Sequence, residues 1–250
     1  EQIRWTEEAN GFASAKQRLV GDCAVACAFV SYAGPFNQVY RGTLINEKFI
    51  NDCIARGVPV SKGLDVSNFL VDDGTVGDWN MQGLPTDNLS TQNGILVTQS
   101  SRYPLLCDPQ AQAITWLSNK EAEFMPNWGI SQISSSKLKD QLEFCMCEGK
   151  ALIIAGVEEE IDPMLDPVLE KRTIKKGKNL YINIADKLCE FDKNFRMYFI
   201  TRLPNPHFSP ELQAKTTLID FTVTQLGLEE QLLGTVISVE QKALEEQLQE

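Results

Sequence analysis

Apolar positions at the start of the chain repeat with a helical period. Trp5, Phe12 and Leu19 fall seven residues apart with Glu7, Glu8, Lys16 and Arg18 between them, a spacing that suggests the end of a coiled-coil helix. From Leu19 the apolar set broadens to Leu19, Val20, Cys23, Ala24, Cys27 and Ala28, which predicts a helix buried on a wide face; Gly34-Pro35 halts it. Residues 1–40 therefore read as a helical lead-in. Between Arg41 and about Gln99 the signals are mixed. Helical spacing at Phe49, Ile50, Cys53 and Ile54 gives way to turn-rich stretches at Asp72-Asp73-Gly74 and Gly83-Leu84-Pro85.

Beyond Gln99 the pattern alternates between short apolar runs and helical periods. Strands are predicted at Tyr103–Cys107, Leu152–Ala155, Leu180–Ile184, Arg196–Thr201 and Thr217–Val223, and helices at Pro109–Asn119 and Lys137–Cys147. Short apolar strands separated by helices predict an α/β domain with a mainly parallel sheet. From Gly227 onward Leu228, Leu232 and Val236, with Leu233, Ile237, Leu244 and Leu248, fit one helical face, and residues 226–250 carry six Glu and one Lys. That pattern predicts a solvated, acidic helix leaving the domain. The organisation is thus a lead-in at 1–40, a body at 41–225 and an exit helix at 226–250.

Charge narrows the partners. The 250 residues hold 23 Lys and Arg against 34 Asp and Glu, a net charge of −11, which argues against nucleic acid because phosphate binding needs a basic stripe. The longest run free of polar residues, Cys23 to Val30, is far short of the ~20 residues that span a bilayer, so no membrane is expected. The chain begins at Glu1 rather than Met and stops inside a helical pattern, which reads as a piece of a longer polypeptide. Its seven cysteines are odd in number, and Cys23, Cys27, Cys107, Cys145 and Cys147 read as buried free thiols of a reducing, intracellular protein. Cys145-Met146-Cys147 is poor zinc geometry, and no metal is expected.

The residues after the first predicted strand have the spacing of a phosphate-binding loop without its content. In G-x-x-x-x-G-K-[ST], backbone amides converge on the phosphates, the Lys meets the terminal ones and the hydroxyl serves magnesium. Here Asp108 stands at the first glycine, Ala113 at the second, Ile114 at the lysine and Thr115 at the hydroxyl, so only Thr115 keeps its chemistry. Asp108 would present negative charge towards phosphate and Ile114 removes the cation, which both oppose nucleotide binding. An ordinary strand–turn–helix fits these residues equally well. The strand Leu152–Ile154 runs into Ala155-Gly156, where such folds place the acidic residues that hold magnesium and orient water, and neither residue can do so. Glu158, Glu159 and Glu160 follow on what reads as a solvated loop.

Several longer stretches carry a family resemblance. Gly83–Gly94, Arg102–Gln110, Thr115-Trp116-Leu117, Ile161–Pro167, Thr201–Pro210 and Phe221–Thr224 resemble, in order, the fifth AAA+ module of a dynein heavy chain, over nearly the whole length. Trp5-Thr-Glu-Glu8 with Arg18–Asp22 resembles the end of the returning stalk helix and its continuation into the fourth module. Ser31–Gln38 is similar to axonemal outer-arm chains. The resemblance implies an AAA+ large subdomain, a six-membered ring whose ATP hydrolysis is concentrated elsewhere, and a strut starting within 226–250. It implies no cofactor in this segment, ATP and magnesium in other modules, and partners that are neighbouring modules, the stalk and strut, other dynein chains and, through the parent chain, the microtubule. A cilium or flagellum is the implied setting. The family's fifth module is non-hydrolytic, in agreement with the residues at Asp108, Ala113, Ile114, Ala155 and Gly156.

The resemblance implies a sensor-like strand end at Thr201 and Arg202, against a plain strand-end hydrogen bond, and a finger at Lys215 that would face the fourth module's nucleotide, against a plain surface lysine, with a point charge where Arg would offer a planar fork. Lys171, Arg172, Lys175, Lys176 and Lys178 form a basic cluster in a predicted hairpin between Val168 and Leu180. His207, in a proline-punctuated loop, reads as structural. Two rival readings remain open at this stage: a working ATPase using Glu158–Glu160, and a stand-alone adaptor with terminal coiled coils.

Overall fold

The computed structural model of the chain describes residues 2–61, 63–184, 187–223, 225, 227–229, 232–233 and 236–237, with side chains from residue 16 onward. Most of the predicted exit helix, and the Trp5 and Phe12 side chains of the heptad, lie outside the described residues. Helix α1 runs unbroken from Gln2 to Tyr32 and ends just before Gly34-Pro35, as expected. Its buried face is not the predicted one. Val25, Ala26, Phe29 and Ala33 are buried, whereas Leu19 and Val20 are 47% and 69% exposed and Cys23, Ala24 and Cys27 face outward. The helix is apolar on several sides between 19 and 30, so periodicity alone cannot choose the face. Polar anchors choose it: the buried Asp22 carboxylate accepts hydrogen bonds from the Ser61 amide at 2.8 Å and the Ser61 hydroxyl at 2.7 Å. Close approaches reinforce the choice, because a Cβ at Gly21 would lie 2.2 Å from the Pro59 carbonyl oxygen and one at Gly34 2.1 Å from that of Leu218.

A helical layer follows: α2 (Gln38–Thr43), a π-helical run at Leu44–Ile50, α3 (Asn51–Ala55), α4 (Val66–Leu70), α5 (Asp73–Met81) and α6 (Asn88–Gln99). Asp65, Asp72 and Asp87 cap the last three, each carboxylate accepting backbone amides of the first turn, so these segments are helices rather than the mixture the sequence suggested. Then come β1 (Tyr103–Cys107), α7 (Gln112–Lys120), β2 (Ser131–Gln132), α8 (Leu138–Glu148), β3 (Ala151–Ala155) and, after a 3₁₀ turn, α9 (Asp166–Leu169). The hairpin strands β4 (Thr173–Lys176), β5 (Asn179–Ile184) and β6 (Lys187–Phe191) precede β7 (Arg196–Thr201), α10 (Pro210–Lys215) and β8 (Thr216–Asp220).

The main sheet has the order β2-β3-β7-β1-β8 and every pairing in it is parallel, so all five strands end on one edge. The α/β, mainly parallel architecture expected for an AAA+ large subdomain is present. Side chains alternate across it. Leu106, Ile153 and Ile200 meet Phe29, Ile95 and Trp116 on one face, while Leu105, Leu152 and Phe199 meet Leu142, Met146 and Val168 on the other. Trp116, fully buried, packs edge-on to Trp79 with ring centroids 5.9 Å apart. The strand predicted at Leu180–Ile184 belongs instead to a separate antiparallel sheet, β4-β5-β6, laid over α8.

Cys107 and Cys145 are buried as expected, but Cys23, Cys27 and Cys147 are exposed; all seven thiols are free. An i, i+2 pair cannot share one helix face, which is why Cys145 points into the core and Cys147 away from it.

Where α7 ends, Glu121 is wholly buried and fully bonded: Lys120 Nζ and Tyr198 Oη reach its Oε1 at 2.7 and 2.8 Å, and Arg196 Nη1 its Oε2 at 2.7 Å. Burial pushes this carboxyl up, yet its three partners outweigh burial and leave it below the usual Glu range. Glu121→Ala would leave a buried phenol and two cations unpaired, and equilibrium denaturation is expected to show a loss of about 3 kcal/mol.

Candidate functional site

The altered phosphate loop, the β3 end and the β7 end meet on the edge where the parallel strands terminate. The loop holds its own anion. Asp108 is wholly buried, its amide donates to the Thr201 carbonyl at 2.9 Å, and its carboxylate accepts the Gln112 amide at 2.9 Å and the Ile114 amide at 3.0 Å. Those amides open α7, the place where a phosphate would sit in a working loop. Ala111 turns the chain into α7 with φ 61°, which delays the helix to Gln112 from the predicted start at Pro109. The Asp108 carboxylate, expected to present negative charge towards phosphate, itself takes up amides that a phosphate would use. Burial raises its carboxyl above the ordinary Asp range, opposed by the amide bonds and by the Arg202 charge.

The other altered positions fit the same arrangement. Ala113 is wholly buried and Ile114 packs against the core of the α7 face, so the lysine position has become part of that core. Thr115 is exposed, and its hydroxyl donates to the Ala111 carbonyl at 2.8 Å, the back-bond of a helix-surface threonine. Ala155 closes β3, and Gly156 follows at φ +75°, where a Cβ would stand 2.9 Å from Gln132 Oε1. Thr201 is buried, its hydroxyl accepting the Leu203 amide at 3.2 Å.

These ends enclose a cavity of about 340 Å³ lined by Gln132, Ala155, Gly156, Glu158, Thr201 and Arg202 among others. Glu158 alone of the three neighbouring glutamates reaches it. Glu160 lines a separate cleft of about 360 Å³ with Asp166, Glu211 and Lys215. Sequence reasoning missed Gln132, because β2 is only two residues long and carries no pattern of its own. No group of three His, Cys, Asp or Glu side chains among the described residues is placed to hold a metal ion.

Lys215 lies away from this cavity and is held by its own chain. Its Nζ is 2.6 Å from Glu211, 3.0 Å from Asp166 and 3.5 Å from Glu170, and the side chain is 14% exposed. The hydrogen bonds to Glu211 and Asp166 raise its affinity for the proton. The basic cluster is split by the hairpin: Arg172 pairs with Glu170, Lys175 and Lys176 lie on the exposed β4, and Lys171 Nζ donates to the Ser101 carbonyl at 2.6 Å. His207 is exposed.

Comparisons with known proteins place the chain in a family. The family model described as the ATP-binding dynein motor region matches residues 77–250, and that described as the microtubule-binding stalk of the dynein motor matches residues 1–53. The chain is 52% identical over 250 residues to the dynein gamma chain of the flagellar outer arm of Chlamydomonas reinhardtii. That alignment covers 100% of the chain and 6% of the relative. It is 45% identical over 249 residues to the outer-arm beta chain of the same alga, with 99% and 5% covered. It is 44% identical over 245 residues to human dynein axonemal heavy chain 8, with 98% and 5% covered. The chain thus spans about a twentieth of the length of these relatives.

A pH dependence follows from the raised Asp108. A carboxyl that binds its proton more tightly folded than unfolded adds stability below its unfolded pKa and loses that contribution as pH rises through the folded value. The stability of the natural chain minus that of Asp108→Asn is therefore expected to fall as pH rises above the ordinary Asp range near about 4, read from urea midpoints.

Proposed function

The chain belongs to the dynein heavy-chain family, and on that premise we propose that it forms a non-catalytic module of the motor ring that relays movement between neighbouring modules. The observation that carries this reading is the Asp108 carboxylate seated on the Gln112 and Ile114 amides. A fixed internal anion holds the loop in one shape whatever the nucleotide state of the cell, which suits a mechanical part rather than a catalyst. Ile114 offers no cation, and Ala155 and Gly156 offer no carboxylate for magnesium or for orienting water. Neither ATP nor magnesium is assigned to this segment; both are assigned to other modules of the parent chain.

The wider role follows from the relatives. The parent chain would be a microtubule motor of the axoneme in a cilium or flagellum, with this module contacting its ring neighbours, the stalk entering along α1 and a strut leaving after residue 225. Lys215 contributes less to this reading than the sequence suggested. Three carboxylates of its own chain already claim its charge, so a reach into a neighbour's pocket would require those pairs to break.

Two measurements test the proposal. Calorimetric titration of Mg-ATP and of ADP is expected to show no uptake by the chain; a tight site abolished by Thr115→Val would overturn the reading. Asp108→Gly should vacate the cradle and lower the melting temperature. Millimolar inorganic phosphate is expected to restore part of that loss in the variant while leaving the natural chain unmoved. An equal response of both proteins would show that Asp108 does not stand in for phosphate.

A further inference from the structure

On the opposite edge from Asp108, where the parallel strands begin, lies a second cavity of about 370 Å³ that the altered loop does not explain. Four cations line it, each from a different segment: Arg102 before β1, Lys120 at the end of α7, Lys171 between α9 and β4, and Arg196 at the start of β7. Lys120 and Arg196 share one carboxylate, the buried Glu121, so two positive charges meet a single negative one. Arg102 and Lys171 are exposed, and neither forms an ion pair among the described residues. The cavity therefore carries a positive excess on a chain whose net charge is −11.

Two of these cations are also held in place. Lys171 Nζ donates to the Ser101 carbonyl and sits 5.0 Å from the centre of the Tyr103 ring, which itself packs edge-on to Phe195 at 6.1 Å. Arg196 is fixed by Glu121 and lies 5.1 Å from the Phe124 ring. Ordered charge above an aromatic wall costs little side-chain entropy when a partner arrives.

We propose that this rim cavity is a docking site for a short acidic peptide segment. Size and spread favour a peptide over a single tetrahedral anion: at roughly 30 Å³ per water the space holds about a dozen waters. The positive groups come from four segments around it rather than converging on one point. Glutamate side chains, with methylenes to lie on Tyr103 and Phe195 and carboxylates to meet Arg102 and Lys171, match both features. The proposal stands apart from the reading of the altered loop and survives if that reading fails.

The test uses fluorescein-labelled hexaglutamate and the chain itself, followed by fluorescence anisotropy at low salt. Hexaglutamate is expected to bind, hexaglutamine is not, and Arg102→Glu should weaken binding about tenfold, with folding checked by circular dichroism. Arg102→Gln, which removes the charge without reversing it, should act in the same direction and less strongly. The double variant Lys175→Gln/Lys176→Gln, which removes the same charge from β4 outside the cavity, should bind as the natural chain does. Absence of binding, equal affinity in Arg102→Glu, or equal loss in the β4 variant would overturn the proposal. Displacement of hexaglutamate by low-millimolar inorganic phosphate would do so too, by assigning the cavity to a free anion.

Discussion

A helix that starts at the end of a parallel strand must find acceptors for its first amides, and in this chain the acceptor is covalently attached. The two bonds from Gln112 and Ile114 to Asp108 decide most of what surrounds them. They require Asp108 to be buried, place Ala111 in a left-handed turn, and set where α7 begins. Through α7 they fix Trp116 against Trp79 and Phe221, and at its far end they bring Glu121 under Tyr198. One carboxylate thus links the loop, the helix and the core on one face of the sheet. The acceptor, being part of the chain, cannot dissociate.

The other edge of the sheet is organised by a second buried carboxylate with the opposite logic. Asp108 satisfies neutral amides, whereas Glu121 satisfies two cations and a phenol and still leaves the surrounding rim positive. A chain of net charge −11 thus gathers four basic groups at this rim. That contrast in sign between a patch and its background is what makes a charged partner selective.

Much of this was legible in the sequence where periodicity and punctuation agree. Tyr103–Cys107 and Arg196–Thr201 appear with the boundaries expected, because continuous apolar runs flanked by turn residues leave few alternatives. The α8 and β3 segments differ from expectation by a residue at an end. The lack of a cation at Ile114 and of a carboxylate at Ala155 and Gly156 is a matter of residue type alone. Geometry is not. Whether Asp108 repels a ligand or replaces one depends on a hydrogen-bond direction, and the buried face of α1 depends on Asp22 and Gly21 rather than on its apolar stripe. Gln132 and the grouping of Arg102, Lys120, Lys171 and Arg196 arise from strand order, which joins segments up to about a hundred residues apart. Lys215 was singled out for its position, but besides its i, i+4 partner Glu211 it meets Asp166 and Glu170, which no local pattern connects to it.

The seat of α1 has a mechanical consequence. Gly34 lies against Leu218 of β8, its carbonyl accepts the Asp220 amide at 3.1 Å, and the buried Arg41 donates to the same carbonyl at 2.9 Å. Thirteen residues earlier, Gly21 bears on Pro59. These two contacts act as paired bearings about 20 Å apart at 1.5 Å per residue, with a further ~28 Å of helix beyond the outer one. A rod held at two such points cannot pivot at one without loading the other. One of the two contacts lies on β8, the strand paired in parallel with β1.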